Sequence, residues 1–278
     1  MLYKYLIIFL IILLLLCYYN SININFIKSK NIYNIFNNNN ILDYLDLIND
    51  DMYDIRMNSD IYNSYEKNVL DFTINEKMYL KYNIFLLNIK LRHFKKFRKD
   101  NLWNLIKTRN NLEYGRPFTL DKYILLPKQI IFSYDIQETL LHEQFHIHQR
   151  LYQDKYNKLY EKYLNWYLQD DIIVSDYIDK NMVVNPDGPN NNWYFYYNNY
   201  KIIPFLIYDK NYDIRYYILD NYKVINEYKN TKEIDNYLKN KYNIDNNYYH
   251  PNEIISTILT EHILYNKKID KNLLHFIN

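Results

Sequence analysis

Residues 138–149, "ETLLHEQFHIHQ", place two histidines four positions apart with a glutamate directly after the first. On a helix, positions i and i+4 lie about 40° apart, so His142 and His146 present two imidazoles to one point, and Glu143 stands about 100° round from His142. Two neutral imidazoles and one further ligand hold a zinc ion and leave a coordination position open. The metal acidifies a water there, and a carboxylate offset from the ligand face takes its proton. The chemistry on offer is hydrolysis with Zn2+ as cofactor, His142 and His146 as ligands and Glu143 as general base.

The flanking residues narrow this reading. Thr139 stands three before His142, Leu140 and Leu141 follow it, Gln144 and Phe145 are uncharged, and Ile147 follows His146. The run resembles the extended zincin metallopeptidase motif, in which Val or Thr precedes and charge is excluded because the helix is buried in the cleft. His148 departs from it, standing where that motif carries an apolar residue. At about 200° from His146 it cannot share the metal, and it is expected in a supporting or surface position. The metzincin branch requires Gly at 149 and a third His at 152, and this chain has Gln149 and Tyr152.

The resemblance that remains is to the gluzincin, thermolysin-like pattern, over roughly residues 116–266 and firm only in the active helix. It implies a third ligand from a glutamate on a later helix, either Glu253 or Glu261. Glu253, in the first turn after "HP", is favoured, and an acid there also suits the helix dipole; Glu261, beside His262, fits a solvated face. That pattern has an acid four residues after the ligand to orient a zinc histidine. Here the position is Thr257, so the support must come from elsewhere. The resemblance further implies an edge strand, within "FTLDKYILLP" or "KQIIF", that pairs with an extended substrate. It also implies a proton donor to the oxyanion, for which His250, Tyr249 and Tyr248 are candidates. A first-turn histidine before proline is equally a structural residue. Asp187, in "NPDGP", either lines the cleft or turns the chain, and the turn is preferred.

The elements that must position these groups can be read more coarsely, as an α+β, zincin-like, mostly helical fold. A helical N-terminal subdomain is expected over 41–115, from the spacing in "ILDYLDLIND" and "NLWNLIKTR", and the metallopeptidase part over 116–278. Gly115 and Pro117 break the first part, and "FTLDKYILLPKQIIF" reads as two strands forming a small edge sheet. Asp135 with Glu138 three on reads as a capping-box start to a helix running past Tyr156. "NPDGPNNN" is a turn. "WYFYY" and "KIIPFLIYD" read as short strands or a hairpin, and "TKEIDNYLKNKY" and "HPNEIISTILTEHILYN" as helices, the second with Pro251 at its first position.

Composition adds bounds rather than function. Of 278 residues 35 are Tyr and 2 are Gly, so single tyrosines and asparagines carry little weight. A net charge of +2 gives no polyelectrolyte signal, and no nucleic-acid partner is expected. The basic run "RHFKKFRKD" reads as a solvated helix face. The single cysteine, Cys17, leaves the rest of the chain without disulfides and excludes Cys-rich zinc sites. Residues 1–19, apolar from Leu6 to Cys17, are expected to form an uncleaved single-pass membrane anchor, with the face open, and 20–40 an asparagine-rich stalk. The partners expected are therefore a peptide or protein substrate and, through residues 1–19, a membrane.

Overall fold

The computed structural model describes residues 5, 23–36, 67–100, 102–110, 112–188, 192–209, 211–271 and 273–274. Five strands, β1 (Ile24–Phe26), β2 (Val69–Leu70), β3 (Trp103–Thr108), β4 (Phe118–Leu120) and β5 (Tyr123–Pro127), form a mixed sheet around β3. One edge of β3 is shared by β1, parallel with Ile24 opposite Trp103, and β2, antiparallel with Val69 opposite Thr108. The other edge pairs in parallel with β5, and β4 closes the sheet antiparallel to β5. "KQI" forms a 3-10 turn after β5 rather than strand.

Three sequence expectations are corrected here. "NLWNLIKTR" contains the central strand, not a helix. All six residues of β3 are buried, and a strand covered on both faces loses the alternation that would have betrayed it. The expected division between 115 and 116 consequently cuts through a sheet. The stalk expected at 20–40 is replaced, over the described residues 23–36, by β1 and a helical turn whose Ile32 and Phe36 are buried. Asn25 there donates to the Asn104 side chain at 2.8 Å, so its polarity is used within the sheet. The expected membrane anchor finds no counterpart here, since no helix among the described residues is long and apolar enough to cross a membrane; residues 1–19, apart from Tyr5, lie outside the described residues, as do 41–66.

Helix α1 (Ile74–Lys90) opens with a capping box, the Thr73 side chain accepting from the Glu76 N–H and the Glu76 carboxylate accepting from the Thr73 N–H. Glu76 also receives Lys107 of β3 at 2.8 and 2.9 Å, a buried ion pair that ties α1 to the sheet. Helix α2 (Ile136–Leu151) carries the histidines. Asp135 precedes it but makes no side-chain cap bond, and Glu138 accepts instead from the Tyr265 hydroxyl at 2.6 Å. The helix does not run past Tyr156 unbroken. Tyr152 leaves helical geometry (φ −128°, ψ 40°), and α3 (Gln153–Leu159) continues into a π turn that ends at Asn165 in the left-handed region.

A second sheet, larger than the sequence suggests, is an antiparallel meander in the order β10 (Lys223–Glu227), β9 (Asn211–Asp220), β8 (Tyr200–Asp209), β7 (Trp193–Tyr197), β6 (Trp166–Leu168). Its pleat divides neighbours between two cores. Ile202 joins the central core with Phe145 and Ile254, while Ile203 packs with Phe205 and Ile178 on the opposite face. Helices α4 (Thr231–Tyr242) and α5 (Pro251–Tyr265) follow. The coarse class is therefore mixed helix and sheet. α2 and α5 lie antiparallel, since Tyr265 reaches Glu138 at one end while the Gln149 amide donates to the Asn252 carbonyl at the other.

Candidate metal centre

Burial selects the face of α2 that matters. His146 is fully buried and Glu143 is 4 % exposed, while His142 keeps some access to a cavity of about 720 Å3 whose walls include His142, Glu143 and Glu253. α5 brings Glu253 to the same point. Its Oε2 lies 3.0 Å from His142 Nε2 and 3.6 Å from His146 Nε2, and the two imidazoles stand 4.7 Å apart at 78°. Three ligands around a tetrahedral zinc would be separated by about 3.4 Å, given metal–ligand bonds of about 2.0–2.1 Å. The spacings found are of that size. Glu261, the other candidate, is held by Lys267 at 2.6 Å near the opposite end of α5.

Two atoms at this point are buried without a hydrogen-bond partner: His146 Nε2 and Glu143 Oε2. Orphaned buried polar atoms of this kind call for a partner such as an ion or a water. The charge balance says the same. Burial favours the protonated form of Glu253, but the charge of His146 and the bond from His142 outweigh it and hold the carboxyl well below its usual range. Burial also opposes a charged His146, yet Glu253 and Asp187 raise its pKa to about 10. Without a metal, a proton on Nε2 takes the place of the cation these carboxylates demand; a divalent ion satisfies the same demand and releases that proton. Two imidazoles and a carboxylate suit Zn2+.

The tautomer of His146 is set by a residue whose role the sequence did not reveal. Gln149 lies one turn on, with its Nε2 donating to the Asn252 carbonyl at 2.9 Å and to Ser256 Oγ at 3.1 Å. A carbonyl oxygen only accepts, so the amide nitrogen must face Asn252 and Oε1 must face His146 Nδ1, 2.9 Å away. Nδ1 therefore carries a proton, and Nε2 is the atom left for the metal. This is support that Thr257, four residues after Glu253, does not provide; the Thr257 hydroxyl has no hydrogen-bond partner. On the other side Asn185 donates to Glu253 Oε1 at 2.8 Å and to the Tyr249 hydroxyl at 3.2 Å. Asn185 opens the tight turn to Gly188, where a Cβ would sit 2.7 Å from His250 Cε1. Only glycine lets this turn lie so close to the start of α5.

Glu143 is flanked by a second carboxylate. Burial first, then Asp187, raises its pKa well above the carboxylate range. Glu143, His146 and Asp187 form a further group whose ligand atoms lie within 4.8 Å of one another. Asp187 is already engaged, however. It accepts the Thr119 N–H at 2.8 Å and the Thr119 hydroxyl, with Arg150 at 3.8 Å.

That engagement bears on the expected edge strand. Arg150 donates to the carbonyls of Thr119, Asp121 and Pro186. Pro117 has no N–H to offer. At Thr119 both outward backbone groups are occupied, so an extended substrate has no ladder to join there.

The remaining candidates separate by position. The Tyr249 hydroxyl is buried beside Glu253, and burial, then Glu253 and Asp187, raise its pKa, keeping it a donor. Tyr248 lies beside Asp235. His250 is the N-cap of α5, its Nδ1 accepting the Asn252 N–H at 3.2 Å, and is 5 % exposed. His148 is neither a surface group nor a neighbour of the site. It is 2 % exposed, meets the Tyr156 hydroxyl at 2.9 Å and packs on Phe97, and burial lowers its pKa to about 4.

No family model, curated protein or solved structure matches the chain. The functional reading stands on the residues alone.

Proposed function

We propose that the protein is a zinc-dependent metallopeptidase of gluzincin type, on a zincin-like arrangement, with His142, His146 and Glu253 as ligands and a peptide or protein as substrate. The observation that carries this is the meeting of Glu253 with both histidines, in a buried group that opens on a cavity. When bound, zinc supplies a Lewis acid that polarises the scissile carbonyl and acidifies water. Glu143, which lines the cavity beside His142, accepts the proton of the attacking water and returns it to the departing amine nitrogen. Tyr249 donates a hydrogen bond to the developing oxyanion, and burial keeps its hydroxyl protonated for this. With the β4 edge occupied at Thr119, the cavity walls rather than an added strand hold the substrate.

A second reading, a non-catalytic metal-binding protein on the same scaffold, draws on that occupied edge. Glu143 opposes it, because a purely structural zinc site has no use for a base. The separating experiment is peptide hydrolysis by the zinc-loaded full chain and by Glu143→Gln. Hydrolysis by the parent that falls about 100-fold or more in the variant, at unchanged zinc content, supports the peptidase. Stoichiometric zinc with no hydrolysis of any peptide in a broad mixture supports the second reading.

A further inference from the structure

From the metal point the cavity continues toward the start of α2, along Thr139, Glu138 and Asp135, and along α5 past Thr257 to Thr260; α4 contributes Asp235. The whole chain carries a net charge of +2, yet among the described residues nine carboxylates and a single cationic side chain, Arg116, line this space. A like-charged cleft between low-dielectric walls focuses potential on what enters. Glu253, Glu143 and Asp187 belong to the metal centre. Of the others, Glu138 toward the start of α2 accepts from the Tyr265 hydroxyl at 2.6 Å, and Asp235 of α4, beside Tyr248, accepts from the Tyr216 hydroxyl at 2.6 Å. Among the described residues neither forms an ion pair with a cation, and neither does Asp135.

A second observation is independent of charge. Thr257 and Thr260, 8 % and 1 % exposed, line the same end, and neither hydroxyl has a hydrogen-bond partner. Buried polar groups of native proteins are nearly always paired. These two lie on one face of α5 and line the same cavity as Glu138 and Asp235, and both can accept from an N–H donor. An ammonium or guanidinium is the group that uses carboxylates and hydroxyl oxygens together.

We infer that this end of the cavity is a subsite for a cationic side chain, so that the enzyme prefers peptides with Lys or Arg beside the scissile bond. The inference rests on the metallopeptidase reading. Glu138 is one helical turn from His142, about 6 Å along the axis, and Asp135 nearly two turns. A residue adjoining the reacting carbonyl covers that span with a long aliphatic stem, which lies along the cavity while its charged head reaches the carboxylates.

The test is digestion of a random peptide mixture by the zinc-loaded full chain, with the ends of the products sequenced, followed by matched peptides carrying Arg, Leu or Glu beside the cleaved bond. Enrichment of Lys and Arg there is expected, together with an Arg-to-Leu preference in kcat/KM that falls about tenfold or more in Glu138→Gln/Asp235→Asn. Glu138→Lys should shift preference toward Glu. Cleavage without enrichment of Lys or Arg overturns the subsite while leaving the peptidase in place. If no peptide is cleaved at all, the subsite is read from titration of zinc-loaded Glu143→Gln with an Arg tripeptide and its Leu counterpart. Tighter binding of the Arg peptide, lost in the Glu138→Gln/Asp235→Asn background, supports it; equal affinities overturn it.

Discussion

Gln149 Oε1 accepts from His146 Nδ1 at 2.9 Å, and the same amide donates to the backbone of α5 beside Glu253. One side chain thus orients an imidazole and ties together the two helices that carry the proposed ligands. Replacing Gln149 by Leu should lower zinc affinity about 10–100-fold, the range found for lost supporting partners of metal ligands. Competition with a chromogenic chelator measures it. In 15N-histidine spectra of the zinc-loaded variant, the His146 Nδ1–H signal should lose its hydrogen-bonded shift. An unchanged affinity and an unchanged Nδ1–H signal would leave Gln149 as a packing residue only.

Glu253→Gln should release zinc, because it removes the carboxylate that faces both histidines. Glu261→Gln should keep it, since Glu261 is held by Lys267. Metal analysis of the two purified variants decides between them, and the reverse pattern would move the ligand to Glu261.

Gly188→Ala should disturb the site without touching a ligand. The added Cβ would lie 2.7 Å from His250 Cε1 and 2.8 Å from Asn252 Nδ2, so the turn must move away from α5 and carry Asn185 with it. A loss of about 1–3 kcal/mol in denaturant unfolding is expected, as for other overpacked sites, with a parallel drop in zinc affinity. Stability equal to the parent would show that the turn yields at no cost.

The buried pair Glu76–Lys107 gives a pH dependence away from the metal. Burial acts to raise the Glu76 pKa, but the bonds from Lys107 and Thr73 prevail and the net shift is downward. A carboxyl depressed on folding contributes stability that is present above its unfolded value, about 4.3, and is lost as pH falls through the lower folded value. Lys107→Met should cost about 3–5 kcal/mol at neutral pH by leaving a buried charge unpaired, and Glu76→Leu/Lys107→Met should recover much of it. Urea titrations at pH 7 and below pH 4 measure both. A single variant as stable as the parent would mean that water reaches the pair.

The histidine pair of α2 was legible because its information is local: the spacing that aims His142 and His146 at one point needs only α2. Glu253 was legible in part, since a first-turn acid after His-Pro marks a helix start whatever it faces. Asn185, Gln149 and Asp187 were not assigned these roles, because their partners stand far away in sequence and single asparagines are uninformative in this composition. β3 was misread for a physical reason as well. Asn104 and Lys107 are polar yet buried, one bonded to Asn25 and the other to Glu76, so no alternating face remained to mark a strand.

The separation of His142 from Glu253 by 111 residues bears on biosynthesis. At synthesis rates of about 5–20 residues per second, a nascent chain carries both histidines and the base for roughly 5–20 s before the glutamate is made. During that interval the ribosome-bound product has two of the three proposed ligands and no α5 against which Gln149 can lock its amide. On the metallopeptidase reading, a centre assembled in this order stays silent beside the other nascent chains of the cell until α5 has docked.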